Sequence, residues 1–165
     1  MIPMELVGVR VELPSNTPIV LLRATEETGD NEGLMLPIFI GGPEATAIAL
    51  AQQGVEPPRP MTHDLFAQTL EAMDVRIEKV VITELRERTF FAEIHARSPE
   101  EARVISARPS DAIALAVRLG IPIFAEDVLL AEVGYSETPD VEPEAEEVVE
   151  DFRDFLDNVN PDDFA

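Results

Sequence analysis

A segment that opens with proline and closes with glycine occurs twice in this chain at a fixed offset. Pro43 to Gly54 and Pro109 to Gly120 have the same spacing, and the second lies 66 positions after the first. Between these limits Ala47-Ile48-Ala49-Leu50-Ala51 returns as Ala112-Ile113-Ala114-Leu115-Ala116, offset by 65, so one residue has slipped inside the helix. Proline suits a first helical turn, whose N–H groups have no intrahelical partner, and glycine suits the left-handed residue that ends a helix. Small, Ala-rich helices permit close approach to a sheet. Internal duplication is therefore the reading, with chance likeness of two short Ala-rich helices as the alternative.

The stretches before each helix support it. Leu6, Val7, Val9 and Val11 lead through Leu13-Pro14-Ser15-Asn16-Thr17-Pro18 into Ile19-Val20-Leu21-Leu22, two β-rich runs around a turn cluster. A polar loop, Glu26 to Gly33, precedes the strand Leu34 to Ile40, and Pro43 with Glu44 starts a helix through Ala51. In the second half Val75 to Thr83 is a strand, Arg86-Glu87-Arg88 a tip and Phe90 to Ile94 the return. Val104-Ile105-Ser106 is a short third strand, and Pro109-Ser110-Asp111 opens a helix to about Arg118. Between the halves, the Pro-rich connection Val55 to Pro60 leads to Thr62, a plausible N-cap, and a helix over 63–73 with Leu65, Phe66, Leu70 and Met73 at helical spacing. Pro122-Ile123-Phe124 reads as a short strand and Glu126 to Val133 as one or two helical turns.

The fold class is thus α+β: duplicated hairpin–strand–helix halves, about residues 1–54 and 75–133, joined by a helix over 62–73 within a domain of residues 1–133. Residues 134–143 read as a linker rich in Glu, Asp and Pro. The tail, 144–165, places Val148, Phe152, Phe155 and Val159 on one helix face, with Asp and Glu opposite, until Asn160-Pro161 stops it.

Charge and cysteine content limit the partners. Net charge is −21. Met1 to Val133 carries 21 acidic and 11 basic residues, and Gly134 to Ala165 carries 12 acidic residues against Arg153 alone. Such a chain is repelled by phosphate backbones at long range, which opposes nucleic acid as a partner. The absence of cysteine excludes disulfides and thiolate metal sites, and it fits a cytoplasmic protein. Met1-Ile2-Pro3-Met4-Glu5 has no basic start and no long apolar run, so a signal peptide is not expected. Apolar runs such as Leu34–Ile40 and Ala112–Val117 are too short to span a membrane.

Three blocks carry a family likeness: Leu36-Pro37-Ile38-Phe39-Ile40-Gly41-Gly42-Pro43-Glu44-Ala45, Arg59-Pro60-Met61-Thr62-His63-Asp64-Leu65, and Ala107-Arg108-Pro109-Ser110-Asp111-Ala112-Ile113-Ala114-Leu115-Ala116. In this order the chain resembles the bifunctional nuclease (BFN) domain family over roughly residues 4–133, and the ending from Phe152 to Val159 resembles tails of bacterial members. The resemblance implies an α+β fold, self-association into a homo-oligomer, and nuclease activity on RNA and DNA. It assigns motif positions but no roles.

Phosphodiester hydrolysis needs an activated water, charge stabilisation at phosphorus and help for the leaving group. Polar residues in or near the blocks are the candidates: His63, Asp64, Asp111 and Glu44 for catalysis, Arg59, Arg108 and Ser110 for substrate, with Glu126 nearby. Asp64 and Asp111 are candidate ligands for Mg²⁺ or Mn²⁺, which prefer oxygen. Imidazole titrates near neutrality, which fits His63 as general base or acid, and Arg59 and Arg108 fit bidentate phosphate binding. Each has a structural reading as well. Glu44, Asp64 and Asp111 sit in first helical turns, where an acid meets the positive helix end, and Arg108 can simply pair with one of them. His95 reads as a surface or interface residue.

If the halves pack together, two of these three acids are expected to converge near Arg59 and Arg108. Metal-assisted nuclease is the first functional reading, and a non-catalytic oligomeric interaction or regulatory module the second. A small-molecule sensor using the cleft between halves is the third. The acidic tail either covers a basic site as a phosphate mimic or packs through Val148, Phe152 and Phe155 on its own or a neighbouring subunit.

Overall fold

The structure, a computed structural model, describes residues 1–25 and 31–136. The α+β expectation holds: these residues form one eight-stranded mixed sheet and four helices. In chain order they are β1 (Ile2–Glu12), β2 (Thr17–Ala24), β3 (Leu34–Phe39), α1 (Gly42–Gln52), α2 (Thr62–Ala72), β4 (Arg76–Arg86), β5 (Thr89–Arg97), β6 (Ala102–Ala107), α3 (Pro109–Leu119), β7 (Ile123–Ala125), α4 (Asp127–Val133) and β8 (Tyr135–Ser136). Residues 26–30 of the polar loop, the expected linker beyond 136 and the acidic tail lie outside the described residues.

Strand order is β6-β5-β4-β7-β1-β2-β3-β8. Two antiparallel meanders, β1-β2-β3 and β4-β5-β6, flank the three-residue β7. That strand runs antiparallel to β1, with Ile2 opposite Ala125 and Met4 opposite Ile123, and parallel to β4, with Val80 beside Ile123 and Ile82 beside Ala125. A register shift between Leu6 and Gly8 marks a bulge in the first hairpin, and Gln52 at the end of α1 donates Nε2–H to the Val7 carbonyl at 3.2 Å.

Helix α1 lies over β1 and β2, α3 lies over β4 and β5, and the two helices pack on each other. Five consecutive residues of α3, Ala112 to Ala116, are buried, so the helix is enclosed on every side rather than along one stripe. The sheet, α1 and α2 supply that enclosure. Ile113 and Leu115, with Val20, Leu22, Leu36, Ile48, Val80 and Ile82, form the centre of the core. Full burial of side chains this size contributes roughly 1.5–3 kcal/mol each. Alanine at 112, 114 and 116 lets the neighbours of α3 come close. Helix α2 packs on α3 and has no buried residue of its own, which leaves Leu65 and Phe66 exposed.

Three local expectations are corrected. Thr62 is not the cap of α2: Met61 takes the extended cap position, and the Asp64 carboxylate reaches back to accept its N–H at 2.9 Å. An acid three residues past the cap satisfies that free donor, so Thr62 becomes the first helical residue. Tyr135 and Ser136 form β8 against Met35 and Leu34, inside the stretch expected to be linker. The tip of the second hairpin is tighter than its sequence advertises, with both Glu87 (φ 51) and Arg88 (φ 64) left-handed. Two left-handed residues match the twist of a two-residue hairpin turn, where asparagine and glycine are the usual occupants.

Candidate functional site

Arg108 stands immediately before α3 in extended conformation and turns its guanidinium across the first turn of that helix. Its Nε donates to Asp111 Oδ2 at 2.7 Å, and its Nη2 donates to Asp111 Oδ1 at 3.0 Å and to Glu44 Oε1 at 2.7 Å. Glu44 belongs to the first turn of α1, so the arginine ties the starts of α1 and α3 together. Gly41 makes the Glu44 position available, because a Cβ there would fall on the Glu44 carboxylate. His63 approaches from α2, its Nε2 at 3.2 Å from Asp111 Oδ1.

Two of the three first-turn acids therefore converge, Glu44 and Asp111, and they do so on Arg108. Arg59 takes no part in this cluster and lies exposed in the connection between α1 and α2. Asp64 is used elsewhere. Its Oδ1 lies 2.6 Å from Arg118 Nε, an ion pair off the direction of that N–H, and its Oδ2 accepts Met61 N–H. Arg118 also donates Nη1–H to the Val55 carbonyl at 3.3 Å. Glu126 precedes α4, where its N–H binds the Ile82 carbonyl, apart from the cluster.

The titration behaviour of Asp111 follows from its neighbours. Burial raises its pKa, but hydrogen bonds from Arg108 and His63, together with their charges, outweigh burial and hold it below the ordinary carboxylate value. Arg108 is pushed upward by Asp111 first and Glu44 second. An ionised Asp111 only accepts hydrogen bonds, so the shared proton belongs to His63 Nε2. When the imidazole is neutral, a proton on Nε2 leaves Nδ1 with its lone pair, which is how a carboxylate orients an imidazole to act as base.

Beside this cluster lies an open cavity of about 380 Å³ between the end of β3, the β4–β5 tip and the start of α3. Arg88, Arg108 and Ser110 contribute to its wall together with Phe39 and Phe90. Ser110 is buried, and Phe39 is 58% exposed. Arg108 Nη1 has no acceptor among the described residues. Two arginines with aromatic rings on one concave wall can hold a phosphate and stack a base.

Arg88 and Arg118 were not among the residues singled out by sequence. Arg118 had a signal available: it follows Asp111 by seven, so both face α2 from one side of α3. They meet the consecutive residues Asp64 and His63 although they stand about 10 Å apart along the helix axis. Arg88 had none, since the turn that brings it to the cavity is not one its residue types favour.

As a centre for Mg²⁺ or Mn²⁺ the donors fit poorly. Asp64 and Asp111 each face an arginine of their own, and among the described residues no group of three His, Asp or Glu side chains is arranged to hold a metal ion. No helix among the described residues is long and apolar enough to cross a membrane.

A family model described as bifunctional nuclease domain matches residues 20–138. An uncharacterized protein of Mycobacterium tuberculosis is 47% identical over 166 residues, covering 97% of this chain and 96% of its own length. Bifunctional nuclease 1 of Arabidopsis thaliana is 27% identical over 120 residues, 67% of this chain and 37% of the plant protein. Bifunctional nuclease 2 of the same plant is 29% identical over 97 residues, 57% of this chain and 30% of that protein. The chain thus spans about a third of the plant relatives it matches.

Proposed function

The chain belongs to the bifunctional nuclease domain family, and from that premise we propose that it hydrolyses phosphodiesters of RNA or DNA at the cavity beside Arg108. The observation that carries this reading is the shared wall of Arg88 and Arg108, with Arg108 bonded to the same Asp111 carboxylate that His63 meets. Arg108 Nη1, Arg88 and the Ser110 hydroxyl would bind the phosphate, and Phe39 would take a neighbouring base by stacking. His63, with Nε2–H held by Asp111, would accept the proton of the attacking water at Nδ1 as the water oxygen bonds to phosphorus, and the P–O bond to the leaving oxygen would break with that oxygen taking its proton from solvent. Glu44 would hold Arg108 in place rather than touch substrate. The step as drawn needs no resident metal, and Mg²⁺ or Mn²⁺ carried in on the substrate phosphate is the alternative that chelation distinguishes.

Residues 1–133 would be the working unit in this reading. The matching order of elements in residues 1–54 and 75–133 supports duplicated halves, with the acidic tail an addition. The lack of cysteine supports a cytoplasmic setting.

One observation favours the second reading, a non-catalytic interaction module. Glu44, Asp111 and Asp64 are all matched by arginine, so the cluster can be explained as a latch holding α1, α2 and α3 together. Cleavage of labelled single-stranded RNA and DNA by highly purified protein, with Mg²⁺, Mn²⁺ or EDTA, separates the two. Activity that copurifies with the protein and is lost in His63→Gln and Asp111→Asn supports hydrolysis at this site. Activity that is absent, or equal in all variants, moves the assignment to the interaction module.

A further inference from the structure

Helix α3 begins without a side-chain cap. Its first residue, Pro109, has no N–H, and the amides of Asp111 and Ala112 both donate to the Arg108 carbonyl at 3.1 Å. The Ser110 N–H is therefore the first-turn donor of α3 that has no acceptor among the described residues. The Asp111 carboxylate does not supply one, because it faces Arg108 and His63. A free amide at this place is half of an anion site.

The other half is the side chain of the same residue. Ser110 is only 7% exposed, and it is the one polar residue in the buried core of the described residues. Its hydroxyl has no hydrogen-bond partner among them, although buried hydroxyls are normally satisfied. Ser110 lines the cavity of about 380 Å³, so its N–H and O–H are left for whatever enters. Arg88 and the unused Nη1 of Arg108 stand on the same wall.

The depth of Ser110 decides which phosphate can use these donors. An internal phosphodiester has a sugar on each side, which keeps it at the level of the exposed Arg88. A terminal phosphate projects three unesterified oxygens and carries a charge of about −1.5 to −2 near neutrality, so it can reach a recessed donor. Charge limits the rest of the ligand. The chain carries −21, and every phosphate of a long strand laid across it adds repulsion. A single anion inside the cavity feels mainly its own surroundings, because salt screens charges beyond about 8 Å. The acids of the adjoining cluster, Glu44 and Asp111, are already held by Arg108. Phe39, 58% exposed on the same wall, offers a face for one base.

We propose that this cavity is a nucleoside monophosphate site, with the phosphate held by Ser110, Arg88 and Arg108 at the start of α3 and the base on Phe39. The proposal rests on the reading of the cavity as a phosphate site and deepens it. Hydrolysis there turns a diester into the monoester end that the recess fits best, so free nucleoside monophosphates compete with strands for the site.

Isothermal titration calorimetry of the full chain with 5′-AMP, adenosine, inorganic phosphate and the diester adenylyl-adenosine tests this. The expected result is that 5′-AMP binds at least about tenfold more tightly than each of the other three, and that Ser110→Ala weakens it by about tenfold through the lost bond to a charged oxygen. Ser110 is buried, so Arg88→Gln on the exposed hairpin tip gives a second variant that cannot disturb the core, and it should weaken 5′-AMP by a similar factor. Binding of 5′-AMP no tighter than that of the diester, or equal in wild type and both variants, would overturn the proposal. Strand cleavage separates it from the hydrolytic reading. Cleavage that is lost in His63→Gln but is not slowed by a large excess of 5′-AMP overturns the nucleotide site and leaves hydrolysis standing. Tight 5′-AMP binding by a chain that cleaves nothing supports the nucleotide site and removes hydrolysis.

Discussion

Arg118 on α3 and Asp64 on α2 meet at 2.6 Å with side chains only 17% and 11% exposed, and the same aspartate closes the N-terminus of α2 through Met61. His63 is the neighbour of that aspartate in sequence, so the ion pair also fixes where the candidate base stands.

Removing one member of such a pair leaves the other charge poorly solvated and unanswered. Arg118→Leu should destabilise the fold by about 3 kcal/mol, measured by guanidinium unfolding. Adding Asp64→Asn should restore part of the loss, because the uncompensated charge is then gone.

The depressed pKa of Asp111 predicts a specific acid sensitivity. Its contribution to stability is fully present above the ordinary aspartate value of about 3.9 and is lost as pH falls through the lower folded-state value. Unfolding free energy measured from neutral pH downward should fall less steeply in Asp111→Asn than in the wild type across that acid range.

If the cavity beside Arg108 is catalytic, two variants should fail in different ways. His63→Gln should lower kcat by about 10²-fold with little change in KM, as loss of general base catalysis does. Arg88→Gln should raise KM instead. Steady-state kinetics on a short labelled oligonucleotide separates these outcomes, and a uniform loss in both would argue against the assigned roles.

Gly41→Ala tests the support beneath Arg108. The new methyl group would displace the Glu44 carboxylate from its place against the guanidinium. The expected outcome is a modest stability loss of about 1 kcal/mol, seen as a fall of a few degrees in Tm, with a rise in KM.

The hairpin tip offers a stabilising change. Glu87 and Arg88 are both left-handed, a conformation that asparagine and glycine adopt at lower cost. Replacing the pair with Asn-Gly should raise Tm by a few degrees, corresponding to about 1 kcal/mol. It should also weaken substrate binding if Arg88 holds phosphate.

Much of the frame was legible because its signals are local. Pro43 and Pro109 do stand in the first turns of α1 and α3, and the hairpins fall where the β-rich runs put them. The convergence of Glu44 and Asp111 on Arg108 was likewise within reach, since both acids open Pro-started helices, and α1 and α3 do pack on each other. What escaped was set by contacts between distant residues. Asp64 looked like a ligand because nothing near it in sequence shows Arg118 arriving from α3. Thr62 looked like a cap because its residue type is right, and only the reach of Asp64 back to Met61 decided otherwise. The strand order was equally hidden, for no local pattern says that β7 belongs between β1 and β4.

That central position of β7 has a consequence for how the chain is made. Ile2 to Met4 must wait for Ile123 to Ala125, about 120 residues later, and β4 waits for the same three residues. Until they leave the ribosome, the nascent chain carries two half-sheets whose facing edges, β1 and β4, have nothing between them. Assembly of the sheet therefore turns on a keystone step: a short segment converts two provisional pieces into one sheet, and any pause before it prolongs the interval in which those edges can find the wrong partner.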